Sequence, residues 1–203
     1  MKTTIILGIT GGIGSGKSYV TRIFNALGIP AYDSDARTKQ LYREDPTLRD
    51  MLSGILGPDI FINGEPDIRK MASLIFNDTE LLKRINQAVH PYVVRDFLKW
   101  AYASQAPYVI FESAILLEMD PPFQATRVLT ISADRELRLC RVAGRDNALI
   151  QSVLARMDKQ WTDEQREARA DFVIVSDNNQ ALLPRVLEVH QHMMNITLNH
   201  NEN

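Results

Sequence analysis

Residues 11–18 read Gly11-Gly12-Ile13-Gly14-Ser15-Gly16-Lys17-Ser18, a glycine-rich run that ends on a lysine and a hydroxyl. The pattern G-x-x-x-x-G-K-[ST] is complete, and it predicts a P-loop. Glycines let successive backbone N–H groups turn inward as an anion-binding nest, and the N-terminus of a following helix adds partial positive charge. Lys17 is then placed to reach the β and γ phosphates of a nucleotide, and Ser18 to offer an oxygen to Mg²⁺. Two more acidic groups, Asp33 and Asp35, stand at the end of the next strand-like run, where ligands gather in open α/β sheets. Helix capping accounts for one such residue; beside a P-loop it accounts less well for the pair.

These groups need a scaffold, and the hydrophobic pattern supplies one. The apolar run at 3–10 predicts a buried strand, followed by the glycine cluster and a helix over 17–27 that Gly28 stops. A short strand at 29–33 follows, with Ser34 as an N-cap for the next helix. From 34 to about 106 no strand is expected, only helices separated at Asp45-Pro46, Gly57-Pro58, Gly64 with Pro66, and His90-Pro91. Strands return at 108–111, 127–132 and 172–175, each leading into a helical pattern, as a parallel sheet requires. Between the last two lies a charged helical stretch containing Arg138, Arg141, Arg145, Arg156, Lys159, Arg166 and Arg169. It reads as a lid, with most of its arginines expected to be solvated or paired with Glu136, Asp158, Glu164 and Glu167.

The expected fold is therefore α/β: a P-loop NTPase fold with a five-stranded parallel sheet flanked by helices. Residues 1–33, 107–135 and 170–203 would form the nucleotide-binding core, 34–106 a helical acceptor-binding insertion, and 136–169 the Arg-rich lid. At 203 residues and 45% hydrophobic content, one globular domain with inserted parts is expected. The balance of 23 basic and 25 acidic residues gives −2, which argues against nucleic acid or an anionic membrane as a partner of the whole surface. The single cysteine, Cys140, cannot form an intramolecular disulfide, no secretory pattern is evident at residue 1, and no apolar run reaches the ~20 residues of a membrane span. A cytoplasmic enzyme is expected; the oligomeric state is not legible.

A P-loop by itself does not choose among kinases, GTPases and transport ATPases, but the chain has no Asn-Lys-x-Asp to read guanine and no Leu-Ser-Gly-Gly signature. The insertion after the second strand and the Arg-rich stretch before the last resemble the nucleoside and nucleotide kinase group. Within it, Gly8-Ile9-Thr10-Gly11-Gly12-Ile13-Gly14-Ser15-Gly16-Lys17-Ser18 is similar to the wording of the dephospho-CoA kinase family, the last enzyme of coenzyme A synthesis. Tyr32-Asp33-Ser34-Asp35 resembles that family's Asp-Ala-Asp. Gly64, Glu65, Arg69, Phe76 and His90-Pro91 match its insertion. Arg145-Asp146, Arg156 and Gln160 match its lid, and Ala170-Asp171-Phe172-Val173-Ile174 its last strand. The chain departs from the family in two places: Ala114-Ile115-Leu116-Leu117-Glu118, preceded by Glu112, stands for Pro-Leu-Leu and a Glu, and Val175-Ser176 stands for Asp-Asn after the last strand.

The resemblance implies transfer of the γ-phosphoryl group of ATP to the ribose 3′-hydroxyl of dephospho-coenzyme A, with Mg²⁺ as cofactor. It implies catalytic roles for Lys17, Asp35 as general base, and Arg145 as a clamp on the transferring oxygens. ATP binding is expected from Gly12, Ile13, Gly14, Ser15, Gly16, Lys17, Ser18, Tyr19 and Arg145. Acceptor binding is expected from Thr10, Asp35, His90, Leu116, Leu117 and Glu118, and Mg²⁺ binding from Ser18 with Asp33 acting through water. A kinase for another nucleoside or nucleotide, and a nucleotide-sensing protein that binds without turnover, are the competing readings.

Overall fold

The computed structural model describes residues 4–75, 78–147 and 149–201. Phe76, one of the insertion positions named above, lies outside the described residues, as does Thr3. The chain divides into two compact units, Met1–Asp33 with Ala103–Asn203, and Ser34–Tyr102. In chain order the elements are β1 (Ile6–Thr10), α1 (Lys17–Ala26) and β2 (Ala31–Asp33), then α2 (Ser34–Glu44), α3 (Pro46–Leu56), β3 (Phe61–Ile62), β4 (Glu65–Pro66), α4 (Ile68–Ile75) and α5 (Thr79–Ala103). They continue with β5 (Val109–Glu112), β6 (Arg127–Ser132), α6 (Arg135–Asp146), α7 (Ile150–Met157), α8 (Asp163–Glu167), β7 (Phe172–Val175) and α9 (Leu182–Asn201).

The first unit is built on a five-stranded sheet of order β2-β5-β1-β6-β7, all neighbours parallel. Its strands coincide with the five apolar runs expected from the sequence. Central strands buried on both faces must be apolar throughout, and every residue of β1 and β5 is buried, Thr10 and Glu112 being the polar exceptions. Val20 and Phe24 of α1 and Val186, Val189 and Met193 of α9 join Leu7, Ile9, Ile110, Leu129 and Ile131 in one core. That core holds the carboxyl ends of β1, β2 and β5 in register, Asp33 opposite Glu112 and Ile9 opposite Glu112. No helix of the described residues is long and apolar enough to cross a membrane.

The second unit corrects two sequence expectations. It is not purely helical: β3 and β4 pair antiparallel across Asn63-Gly64, both with positive φ (52° and 83°). An Asn-Gly pair with that backbone is the favoured two-residue hairpin turn, so the signal was present but lay between strands of only two residues. Nor does His90-Pro91 break a helix. Pro91 lies inside the 25-residue α5, although proline removes one donor from the helical ladder. Ile85, Val89, Val93, Phe97 and Ala101 form a buried stripe at a spacing of four, and this tertiary burial outweighs the local penalty.

Candidate active site

The loop between β1 and α1 is a phosphate cradle by its backbone. Ser15 N–H donates to the Gly12 carbonyl at 3.1 Å, closing the turn, and Gly16 enters α1 in the left-handed region with no side-chain cap on the helix. The first amides of α1 therefore remain available to an anion, reinforced by the helix dipole. Lys17 Nζ donates to the carbonyls of Gly11 (2.8 Å) and Gly12 (3.4 Å), which holds the ammonium along the loop. Thr10, the last residue of β1, is fully buried, and neither its hydroxyl nor that of Ser15 has a hydrogen-bond partner among the described residues.

Facing Ser18 is a residue whose site role the sequence reading missed. Glu112 ends β5, is only 7% exposed, and accepts from Ser18 Oγ at 3.2 Å and Thr21 Oγ1 at 2.7 Å. Burial pushes its carboxyl above the usual range; the Thr21 bond and the charge of Lys17 oppose this, while the like charge of Asp33 adds to it. The available signal was a lone acid closing an apolar strand, at the carboxyl end where ligands gather in open α/β sheets. Asp33 ends β2 in the same unit. Asp35 lies one residue into α2, in the second unit.

The Arg-rich stretch folds as α6, α7 and α8, and its side chains reach the loop differently from the sequence expectation. Gln160 Oε1 accepts from the Ile13 amide at 2.9 Å, and Ile13 packs with Val142, Val153 and Met157. Arg141 donates to the carbonyls of Gly14 (3.4 Å) and Ser176 (3.0 Å) and to Asn178 Oδ1 (2.8 Å). Arg138 and Arg166, expected at the surface, are buried beside Gly12. Arg166 pairs with Glu118 Oε1 (3.0 Å) and Asp163 Oδ1 (3.2 Å), neither of them the partners expected. Arg145 is exposed, as are Arg135, Arg156 and Arg169. Its side chain is 64% accessible and forks onto its neighbour Asp146 at 2.7 and 3.1 Å, which raises the guanidinium pKa.

A cavity of about 470 Å³ opens at the start of α1, lined by Gly16, Tyr19, Arg141, Ser176, Asn178 and residues 180–182. It is large enough for a heterocyclic base. In the second unit, both ring nitrogens of His90 are buried without a hydrogen-bond partner among the described residues, and burial lowers its pKa, so the ring is neutral near pH 7.

A P-loop with this geometry narrows the search to nucleotide-dependent enzymes, and comparison with known proteins resolves it. The family model described as dephospho-CoA kinase matches residues 5–182. The chain belongs to the dephospho-CoA kinase family. A dephospho-CoA kinase of Porphyromonas gingivalis is 36% identical over 186 residues, covering 91% of this chain and 92% of that one. One of Bacteroides fragilis is 34% identical over the same length, with 91% of each chain covered. A crystal structure of a Thermus thermophilus protein superposes with a TM-score of 0.82 at 33% identity, covering 94% of this chain and 98% of that one. The fold is thus that of a P-loop kinase.

Where the chain departs from the dephospho-CoA kinase wording, the structure gives the departing residues definite work. Leu116 is buried, its Cδ2 lying 2.6 Å from where a Cβ on Gly8 would be, so it belongs to the core and not to an open wall. Leu117 follows it in a single 3₁₀ turn, partly exposed. Glu118 is committed to Arg166 and to the Trp161 amide (3.1 Å), which ties this turn to the lid helices. Of the departing pair Val175-Ser176, Ser176 lines the cavity together with Asn178, and Val175 is exposed.

Proposed function

We propose that this protein uses ATP to phosphorylate the ribose 3′-hydroxyl of dephospho-coenzyme A, giving coenzyme A and ADP in the cytoplasm. The observation that carries the reading is a complete P-loop, with Lys17 and Ser18 at the start of α1 and Glu112 at the carboxyl end of β5 bonded to Ser18, in a chain of this family. The β and γ phosphates lie on the loop amides and Lys17, and the adenine enters the cavity between Tyr19 and Asn178.

The donor set fits a hard cation. Ser18 Oγ at the start of α1 and the Asp33 and Glu112 carboxylates at the ends of the neighbouring strands β2 and β5 would supply the oxygens that hold Mg²⁺. No group of three or more His, Cys, Asp or Glu among the described residues would hold a metal by itself, as suits an ion carried in with the nucleotide. When bound, the ion would supply charge neutralisation to the phosphates, whose oxygens Lys17 and the loop amides also hold.

The acceptor oxygen attacks the γ-phosphorus, a P–O bond forms to it, and the bond to the β–γ bridging oxygen breaks, releasing ADP. Asp35 orients the hydroxyl and takes its proton. Arg145 joins when it exchanges Asp146 for phosphate oxygens, and Thr10, His90 and Leu117 contribute to the acceptor side. The test is formation of coenzyme A from dephospho-coenzyme A and Mg-ATP, with AMP, adenosine and pantothenate as rival acceptors. Strong preference for dephospho-coenzyme A is expected; ADP release with another acceptor and none with this one would overturn the substrate.

A further inference from the structure

Two guanidinium groups meet where the P-loop lacks a side chain. A Cβ on Gly12 would lie 1.8 Å from Arg138 Nη1, 3.1 Å from its Cζ and 3.5 Å from Arg166 Nη1. Both arginines are buried, 8% and 0% exposed, yet they come from different helices, α6 and α8. Bringing two like charges into a buried place is costly unless counter-charges are built with them. Here they are: Asp163 Oδ1 lies 3.2 Å from Arg166 and 3.6 Å from Arg138, and Glu118 Oε1 lies 3.0 Å from Arg166.

Arg166 is held by these carboxylates, but Arg138 is not satisfied by its one long contact with Asp163. It donates no hydrogen bond to any described residue, and the Nε of each arginine is buried without a partner. Burial opposes the Arg138 charge, Asp163 restores part of it, and Arg166 works against it. A largely buried guanidinium whose Nε has no partner and whose one ion pair is long is arranged for an anion that arrives from outside the chain.

We propose that Arg138 and Arg166 form a preorganised guanidinium pair that binds oxygens of the transferring phosphoryl group over Gly12. This rests on the function proposed above and names residues that the resemblance did not. The pair differs in kind from its neighbours: Arg141 is spent on backbone carbonyls and Asn178, and Arg145 on Asp146. A guanidinium held in place before the reaction needs no reorganisation as charge spreads over the equatorial oxygens, so its effect falls on the transition state.

Wild-type turnover of dephospho-coenzyme A with Mg-ATP is measured first; its absence would defeat the proposed function and not the pair. Given turnover, Arg138→Gln is expected to lower kcat about 10²-fold or more. Its Kd for ATP should stay within about threefold, while affinity for ADP with aluminium fluoride, a mimic of the transferring group, falls in step with kcat. Arg138→Lys, which keeps the charge and loses the fork, should fall between. Arg166→Gln should show the same split, with thermal melting as its check because it also frees Glu118 and Asp163. Unchanged kcat in Arg138→Gln, or equal loss of ATP and mimic affinity, would make Arg138 a brace for the loop and overturn the proposal. If Arg138→Gln melts far below wild type, the lysine variant is judged by the same criterion.

Discussion

Gly12 and Gly14 are both glycines of one loop, for different reasons. Gly14 has φ +80°, and a Cβ there would lie 2.6 Å from the Arg138 carbonyl oxygen, backbone that cannot step aside. Gly12 has no such backbone demand; what a methyl would meet is the tip of the Arg138 side chain. A side-chain end can be pushed from its place where backbone cannot, so Gly12→Ala should keep Tm within a few degrees of wild type and lower kcat by about tenfold or more as the guanidinium is displaced. Contacting residues couple, so in an Arg138→Gln background the same change should cost little. Steady-state kinetics of the two single variants and the double variant decide: strictly additive losses would place the effect in the loop itself.

At the scale of elements, α6 and α8 are held at their starts. Asp134 caps α6 by accepting from the Glu136 (2.8 Å) and Leu137 (3.1 Å) amides, and Thr162 with Gln165 forms a capping box on α8. Arg138 belongs to the first turn of α6 and Arg166 to α8, so each cap also fixes a guanidinium. Removing the α6 cap with Asp134→Ala should cost about 1 kcal/mol. For a chain of this size that lowers Tm by roughly 2–4 °C. Because the loosened turn carries Arg138, kcat should fall as well, with ATP affinity little changed. A melting curve paired with kinetics checks this; a Tm loss at full kcat would separate the cap from the site.

For the whole molecule, the division into two units runs between the paired acids. Asp33 closes a strand of the first unit and Asp35 lies at the start of a helix of the other, two residues apart in sequence. If the second unit brings the acceptor and Asp35 is its base, Asp35→Asn should lower kcat by about 10²-fold, the low end for general-base catalysis, since a loose transition state keeps the hydroxyl protonated until late. ATP affinity should be unchanged, because the loop and Lys17 belong to the first unit. Equilibrium ATP binding and single-turnover rates test both halves. Full activity in Asp35→Asn with loss in Asp33→Asn would reverse the assignment, and full activity in both would reduce the pair to capping residues.

Local chemistry made much of this protein legible in one dimension. The P-loop and the five strands follow from spacing and periodicity, because backbone geometry and strand burial act over a few residues, and the family was implied by the resemblance of several short motifs in order. The Asn63-Gly64 hairpin was legible too, though overlooked. Pro91 was read by its local preference, and the stripe from Ile85 to Ala101 overruled it. The lid arginines could not be sorted at all from sequence, since charge-rich helices look alike whether a given arginine faces water or a phosphate cradle. Burial of Arg138 and Arg166, and the exposure of Arg145, were decided by packing of α6 and α8 against the loop. Glu112 to Thr21, Arg166 to Glu118 and Gln160 to Ile13 join residues 91, 48 and 147 positions apart. Such pairs have no local signature, and they exist only once the sheet has brought its carboxyl ends, the P-loop and the lid helices together.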